Sequence, residues 1–356
     1  MSLTHPAGYA AFLLAVFATA ILVTALVLRH LRIIDQPNER SSHSCPTPRG
    51  GGLGIVAGSL LAALLILLCG NPEERTVLYS LPYFGLLAAV LLIGGISLHD
   101  DIAGRGFASK LLVQLIAALI LLACGIILPS ALIQPLPGLL VWPLSLLWLI
   151  GMTNAYNFMD GLDGMAGSTA VIVAGFFAAF CLLAGQTVPA LLASAMAVTA
   201  GGFLCFNWPP ARIFMGDIGS TFLGLTLAAL ALLLANSPAS TPASLLLMPL
   251  LLLHYLFDTA LTFCRRLLAG ENVTQAHRSH LYQLLQRSGW SHRRVSLTYS
   301  LLAILQGTLA LAFGTTRLWL PLLLLLPIYT LLAMFLLRHA RRHGLLQRSA
   351  ATPAVT

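Results

Sequence analysis

The chain has 356 residues, of which 58% are hydrophobic and only 8% charged, with a formal charge of +8. Its mean hydropathy of +0.90 excludes an ordinary soluble domain, because apolar runs of about 20 residues recur and each can cross a bilayer as a helix. The runs are unbroken Leu, Ala, Val and Ile rather than alternating, so helices are expected over a barrel.

In chain order the apolar stretches cover 8–29, 52–69, 79–98, 111–128, 138–153, 165–184, 189–206, 220–235, 244–264, 295–314 and 318–337. They predict an all-α polytopic membrane protein, a bundle of about eleven transmembrane helices forming one integral membrane domain over 1–356. No basic region precedes the first stretch, and Ala18 to Leu28 extend it past a short signal core, so a retained first helix is expected. The six cysteines are scattered, without C-x-x-C spacing, and indicate neither a disulfide framework nor a thiolate metal site.

If every stretch spans, the links alternate sides, and all Lys and Arg residues except Arg75 and Arg317 fall on one side. That asymmetry predicts an amino terminus outside and a carboxyl terminus in the cytoplasm. Basic loops beside anionic headgroups need no further partner, so nucleic acid is not expected. The acids are informative because they need not follow this rule. Asp35, Glu39, Asp100, Asp101, Asp160, Asp163, Asp217 and Glu271 share the basic side, Glu73 and Glu74 lie opposite, and Asp258 lies within a span. The loops expected to carry chemistry are approximately 30–51, 99–110, 154–164, 207–220 and 265–294.

The first of these contains Asp35-Gln-Pro-Asn and ends in Gly50-Gly51-Gly52. A glycine run opening a helix can offer backbone N–H groups to an anion, or can simply permit a tight turn. Asp100 and Asp101 close the third helix, where two carboxylates oppose the helix dipole; a divalent metal or Lys110, the chain's single lysine, would compensate them. A solvated acid pair with a snorkelling lysine is the plainer alternative. Asn154-Ala-Tyr-Asn-Phe-Met-Asp-Gly-Leu-Asp-Gly gathers Asn157, Asp160 and Asp163 at a membrane boundary, where Mg²⁺ suits the oxygen donors and a structural cap-and-turn is the alternative. Asp217 lies between Gly216 and Gly219 just ahead of the eighth stretch, as in an N-cap turn or an adjoining part of the same site. In His277-Arg278-Ser279-His280, two histidines without a third ligand at a recognised spacing suit phosphate better than zinc. Asp258, four residues after His254, is expected to pair with that histidine or a loop cation. It would orient the site from beneath or, in the alternative reading, serve a proton-coupled transporter.

Taken in order, these segments resemble the polyprenyl-phosphate N-acetylhexosamine-1-phosphate transferase superfamily over roughly residues 30 to 295. The resemblance implies ten or eleven transmembrane helices in the bacterial inner membrane, with an active site facing the cytoplasm. It also implies Mg²⁺, with Mn²⁺ as substitute, and transfer of a sugar-1-phosphate from a UDP-N-acetylhexosamine to undecaprenyl phosphate with release of UMP. On that basis Asp100, Asp101 and His280 are the catalytic candidates, and Asn157 with Asp217 the metal-side pair. Lys110, Asp160, Asp163, His277 and Arg278 are then the substrate-binding candidates. A homodimer is left open. Many relatives carry a histidine-rich His-x-His-His where this chain reads His280-Leu-Tyr-Gln, so the pattern is most similar to the O-antigen initiating branch, with donors such as UDP-GlcNAc and UDP-N-acetylfucosamine.

Overall fold

The computed structural model describes every residue except 1, 2, 4, 32, 38–44, 104–106, 130–136, 239, 276, 315 and 347–356. The sequence expectations for Arg32, Asn38, Glu39, Arg40, Arg105 and Arg348 therefore lie outside the described residues. The helices are α1 (Pro6–His30), α2 (Gly52–Cys69), α3 (Pro72–Leu78), α4 (Leu81–Ala103), α5 (Phe107–Ala123), α6 (Val141–Phe158), α7 (Met165–Leu183) and α8 (Thr187–Asn207). They continue as α9 (Gly216–Ala235), α10 (Leu247–Leu251), α11 (Leu253–Leu268), α12 (Leu281–Arg287), α13 (His292–Phe313) and α14 (Trp319–Arg342). Two short strands, β1 (Ile34–Asp35) and β2 (Thr47–Pro48), pair antiparallel in the first loop.

Every predicted apolar stretch is helical over most of its length. The expectation of about eleven spans is revised in one respect. Among the described residues, nine helices are long and apolar enough to cross a membrane, and α10 with α11 makes a tenth only if a pair bent by 76° counts as one span. The apolar part of α5, Ala108–Ala123, is shorter. Pro143 falls in the first turn of α6, where its missing N–H has no helical partner to lose.

The bundle is built around α9, which is apolar on all sides and buried along almost its whole length between α2, α4, α6 and α8. Around it, α7 packs on α8 and α13, α1 on α2 and α8, and α5 on α4 and α6. At the periphery α14 touches α12 and α13 and exposes Leu323, Leu331 and Phe335, as a lipid-facing helix does.

The glycine run at the start of α2 is a packing element. The N–H groups of Gly51 and Gly52 donate to Phe214 O and Met215 O at 2.9 Å each, so these amides are engaged by backbone carbonyls rather than held ready for an anion. Gly50 has φ of +99°, and a Cβ on Gly52 would overlap the Cα of Gly219. Hydrogen bonding and close approach thus fix α2 against the start of α9. The short helix α3 was not anticipated, although its signal is visible in Asn71-Pro72-Glu73-Glu74. Asn71 Oδ1 accepts from Glu74 N and Glu74 Oε2 accepts from Asn71 N, both at 2.8 Å, a reciprocal cap.

Gly52→Ala is expected to destabilise the fold by about 1–3 kcal/mol through overpacking against α9. Thermal melting of the detergent-purified protein reads this directly, and an unchanged midpoint would show that the two helices separate without cost.

Candidate active site

At one end of the bundle the carboxyl end of α4 meets the amino end of α9. Asp101 is buried, and its two carboxylate oxygens accept from Asp217 N and Ile218 N at 3.2 Å each, so α4 caps the positive end of α9. The Arg49 guanidinium donates to Asp101 O and lies 3.9 Å from Asp101 Oδ1. Asp100 turns the other way, onto Lys110. The Lys110 Nζ, in the first turn of α5, sits 2.6 Å from Asp100 Oδ2 and 2.5 Å from Asp217 Oδ2. The expected compensation of the acid pair is therefore Lys110 for Asp100, and the α9 terminus with Arg49 for Asp101.

Asn157, in the last turn of α6, joins the same cluster by donating to Asp217 Oδ1 at 3.0 Å and Ser220 Oγ at 2.8 Å. Next to it Asn154 and Gln114 exchange hydrogen bonds of 2.6 and 3.3 Å, fixing α6 to α5. Sequence reasoning passed over Gln114 and Arg49. A polar side chain one turn after Lys110 in an otherwise apolar run was the available signal for the first.

The two loop aspartates have different environments. Asp160 is pushed well above the ordinary carboxylate range, first by burial and then by the negative Asp217 and Asp101. Asp163 ends below that range: burial opposes its ionisation, but hydrogen bonds from His292 and from Ala211 N outweigh it. These contacts are 3.2 Å to His292 Nδ1 and 3.0 Å to Ala211 N, while Asp163 O accepts from Ser296 Oγ at 2.7 Å. Asp163 thus ties its loop to α13 and to the segment before α9.

The histidine segment docks beside this loop. A Cβ on Gly161 would overlap the Tyr282 hydroxyl, which donates to Phe158 O at 3.0 Å, and the His280 ring lies 6.2 Å from that of Phe158. His277 and His280 are neighbours at 4.8 Å between ring centroids. Burial, then His280, Arg266 and Arg265, drives the His277 pKa down to about 3, leaving it a neutral hydrogen-bonding group at neutral pH. Arg278 is half-buried on the α12 side, where its carbonyl accepts from Arg287.

Of the two partners expected for Asp258, the structure places the loop, not His254, against it. Its partners are His280, Tyr299, Thr262 and the backbone of Leu281 and Tyr282, whereas His254 faces the side-chain amide of Gln306 at 2.8 Å. The carboxylate is engaged in tethering a loop, and nothing supports the transporter alternative.

These elements border a groove of about 1130 Å³. Asp100, Lys110, Asn157 and Asp217 line it together with His277, His280 and Arg266, while Leu144, Leu147, Trp148, Leu256 and Phe263 make an apolar flank. Asp101, Asp160, Asp163 and Arg278 are not among its lining residues.

Among the described residues no three His, Cys, Asp or Glu side chains form a metal-holding group. The donor chemistry nevertheless fits a hard divalent cation of the kind completed by substrate oxygens and water. Asp100 and Asp217 present carboxylate oxygens that converge on one positive charge.

A model of glycosyl transferase family 4 matches residues 83–235. The chain is 30% identical over 320 residues to the probable undecaprenyl-phosphate N-acetylglucosaminyl 1-phosphate transferase of Bacillus subtilis (strain 168), covering 86% of this chain and 85% of that protein. It is 33% identical over 324 residues to the decaprenyl-phosphate N-acetylglucosaminephosphotransferase of Mycobacterium leprae (strain TN), covering 82% and 78%. It is also 34% identical over 295 residues to the phospho-N-acetylmuramoyl-pentapeptide-transferase of Synechococcus sp. (strain RCC307), covering 75% and 77%.

The two loop aspartates should respond oppositely to neutralisation. Because the folded pKa of Asp160 is raised, its ionisation favours the unfolded chain once pH exceeds the unfolded carboxylate value. Asp160→Asn is expected to raise the melting midpoint at pH 7 by about 2 °C, with the gap from wild type narrowing toward pH 5. The Asp163 contribution is present above the unfolded value and lost as pH falls through its depressed folded value, so Asp163→Asn is expected to lower the midpoint at pH 7. Shifts of the same sign in both variants would contradict these assignments.

Proposed function

The chain belongs to the polyprenyl-phosphate N-acetylhexosamine-1-phosphate transferase superfamily, glycosyl transferase family 4, and from that membership we propose that it transfers a sugar-1-phosphate from a UDP-N-acetylhexosamine to undecaprenyl phosphate. The products are undecaprenyl-diphosphate-sugar and UMP. The observation that carries this reading is a single groove with an apolar flank and a charged end: Leu144, Leu147 and Trp148 suit a polyprenyl chain, and Lys110 with Asp100 and Asp217 suits phosphate chemistry.

In this reaction a lipid-phosphate oxygen attacks the β-phosphorus of the donor, the α–β bridging bond breaks, and UMP leaves with the bridging oxygen. Such transfer between polyanions needs charge neutralisation and alignment more than covalent participation. The lipid phosphate is already largely ionised near neutral pH, so Asp100 has a positioning task, or takes the last proton. It is the better candidate of the acid pair because it lines the groove, whereas Asp101 is occupied by the α9 terminus. Lys110 neutralises phosphate oxygens and moves between its two carboxylates and the substrate. His280 acts on the donor side, with neutral His277 as a hydrogen-bonding partner; Asp160 and Asp163 act from behind the groove, through the loop they hold, and Arg278, on the α12 side, has no direct part. A divalent ion, Mg²⁺ or Mn²⁺ in its place, would be held by Asp217 and Asn157 and would screen the pyrophosphate oxygens.

The finer assignments follow the sequence. Tyr282 and Gln283 in place of further histidines favour the O-antigen initiating branch, with UDP-GlcNAc or a 6-deoxy relative such as UDP-N-acetylfucosamine as donor, and O-antigen or another envelope glycan as the product's destination. The arginine-rich links support a bacterial inner-membrane protein with its amino terminus outside and its site facing the cytoplasm.

The test is UMP release by the purified full-length chain from a panel of UDP-N-acetylhexosamines. Release is expected only with undecaprenyl phosphate present, to vanish with EDTA and to return with Mg²⁺. Asp217→Asn and Lys110→Ala should each lower kcat about 100-fold or more. Release that ignores the lipid phosphate, or no release from any donor, overturns the reading.

A further inference from the structure

The Asp258 carboxylate is fully buried one and a half turns into α11, beyond the break that bends it 76° from α10. Four donors and one imidazole nitrogen converge on it. Oδ1 accepts from Leu281 N at 2.8 Å, from Thr262 Oγ1 at 3.2 Å and faces His280 Nδ1 at 3.2 Å; Oδ2 accepts from Tyr282 N at 3.2 Å and from Tyr299 OH at 3.0 Å. The two backbone donors open α12, so the carboxylate also completes that helix's amino end.

The same stretch of α11 holds the rest of the histidine segment. Arg266, itself 4% exposed, binds Glu271 Oε2 at 2.8 Å, Asn272 O at 2.8 Å and Gln275 O at 3.2 Å. Arg265 donates to Ser279 O at 2.8 Å. Residues 258, 262 and 266 recur one turn apart, so one helix face fixes the loop from its start to His280. The imidazole is the single functional group in this set that borders both Asp258 and the groove.

We propose that Asp258 is a positioning residue for the transfer reaction, acting through His280. This rests on the function proposed above. By accepting the Nδ1–H, the buried carboxylate selects the tautomer and plane of the ring and leaves Nε2 as the nitrogen offered to the groove, beside Phe158 and the last turn of α6. Asp258 touches no substrate. Its effect on the reaction passes through one ring, while its helix-capping effect is structural, and the two separate in a double-mutant cycle.

Asp258→Asn, His280→Ala and the double variant are to be compared in the UMP-release assay, with kcat and KM resolved separately and thermal midpoints measured alongside. If the carboxylate acts through the ring, Asp258→Asn lowers kcat about 10- to 100-fold with little change in KM for the UDP-sugar. The double variant then matches His280→Ala within about threefold, since the lost effects share one route. Multiplying losses in an active, folded set would overturn the proposal, whereas a wild-type chain without UMP release would overturn the functional reading instead. Should Asp258→Asn fail to fold, ¹⁵N spectra of histidine-labelled wild-type protein, with His280 assigned by its substitution, decide the geometry. A proton on Nδ1 is expected, and a bare Nδ1 with the proton on Nε2 overturns the proposal.

Discussion

The amino end of α9 is the constraint on which the site depends. This helix is buried along nearly its whole length, and its first N–H groups need acceptors at a place where water is scarce. Asp101 supplies them. A buried carboxylate lacking donors would cost several kcal/mol, whereas one aimed at a helix amino terminus is stabilised by roughly 0.3–2 kcal/mol. The arrangement also fixes chemistry, because it determines where the residues on either side must point. Asp100, next in the chain, is turned onto Lys110, and Asp217, whose own N–H is capped, presents its carboxylate to the same ammonium group.

Two further devices keep this junction rigid. From one side α2 is drawn onto α9 by the Gly51 and Gly52 amides and by the absence of a side chain at Gly52. From the other, Asn157 bonds both Asp217 and Ser220, so the last turn of α6 is registered against the first turn of α9. The loop that follows α6 is in turn locked by Asp163 to α13 and by Gly161 against Tyr282. Sequence-distant aspartates therefore share one wall because four helices end there, each held by polar contacts that the apolar interior cannot replace.

Much of this was legible in the chain because lipid enforces a simple grammar. Long apolar runs must be helices, and the scarcity of charge marks Asp100, Asp101, Asp160, Asp163 and Asp217 as acids of one side, with Lys110 beside the first pair. What the pattern could not convey was division of labour within a motif. Asp100 and Asp101 are chemically identical and adjacent, and only the direction of α9 distinguishes the residue facing the groove from the residue capping a helix. The glycine run was similarly ambiguous, since backbone amides that could meet an anion can equally meet Phe214 and Met215 carbonyls. Asp258 was linked in the sequence to His254 because, Thr262 aside, its actual partners arrive from 22 to 41 residues later in the chain.

The groove is open at its flank, where Leu147 is 69% and Phe263 50% exposed. In a bilayer those side chains face lipid, so the acceptor and the product of the proposed reaction use the same lateral entrance and carry the same hydrocarbon tail. A released product is not diluted into water; it stays in two dimensions beside the opening it has just left. Throughput is then governed by the ratio of the two lipids in the surrounding leaflet, and the step that consumes the product elsewhere in the membrane becomes, in effect, part of this enzyme's kinetics.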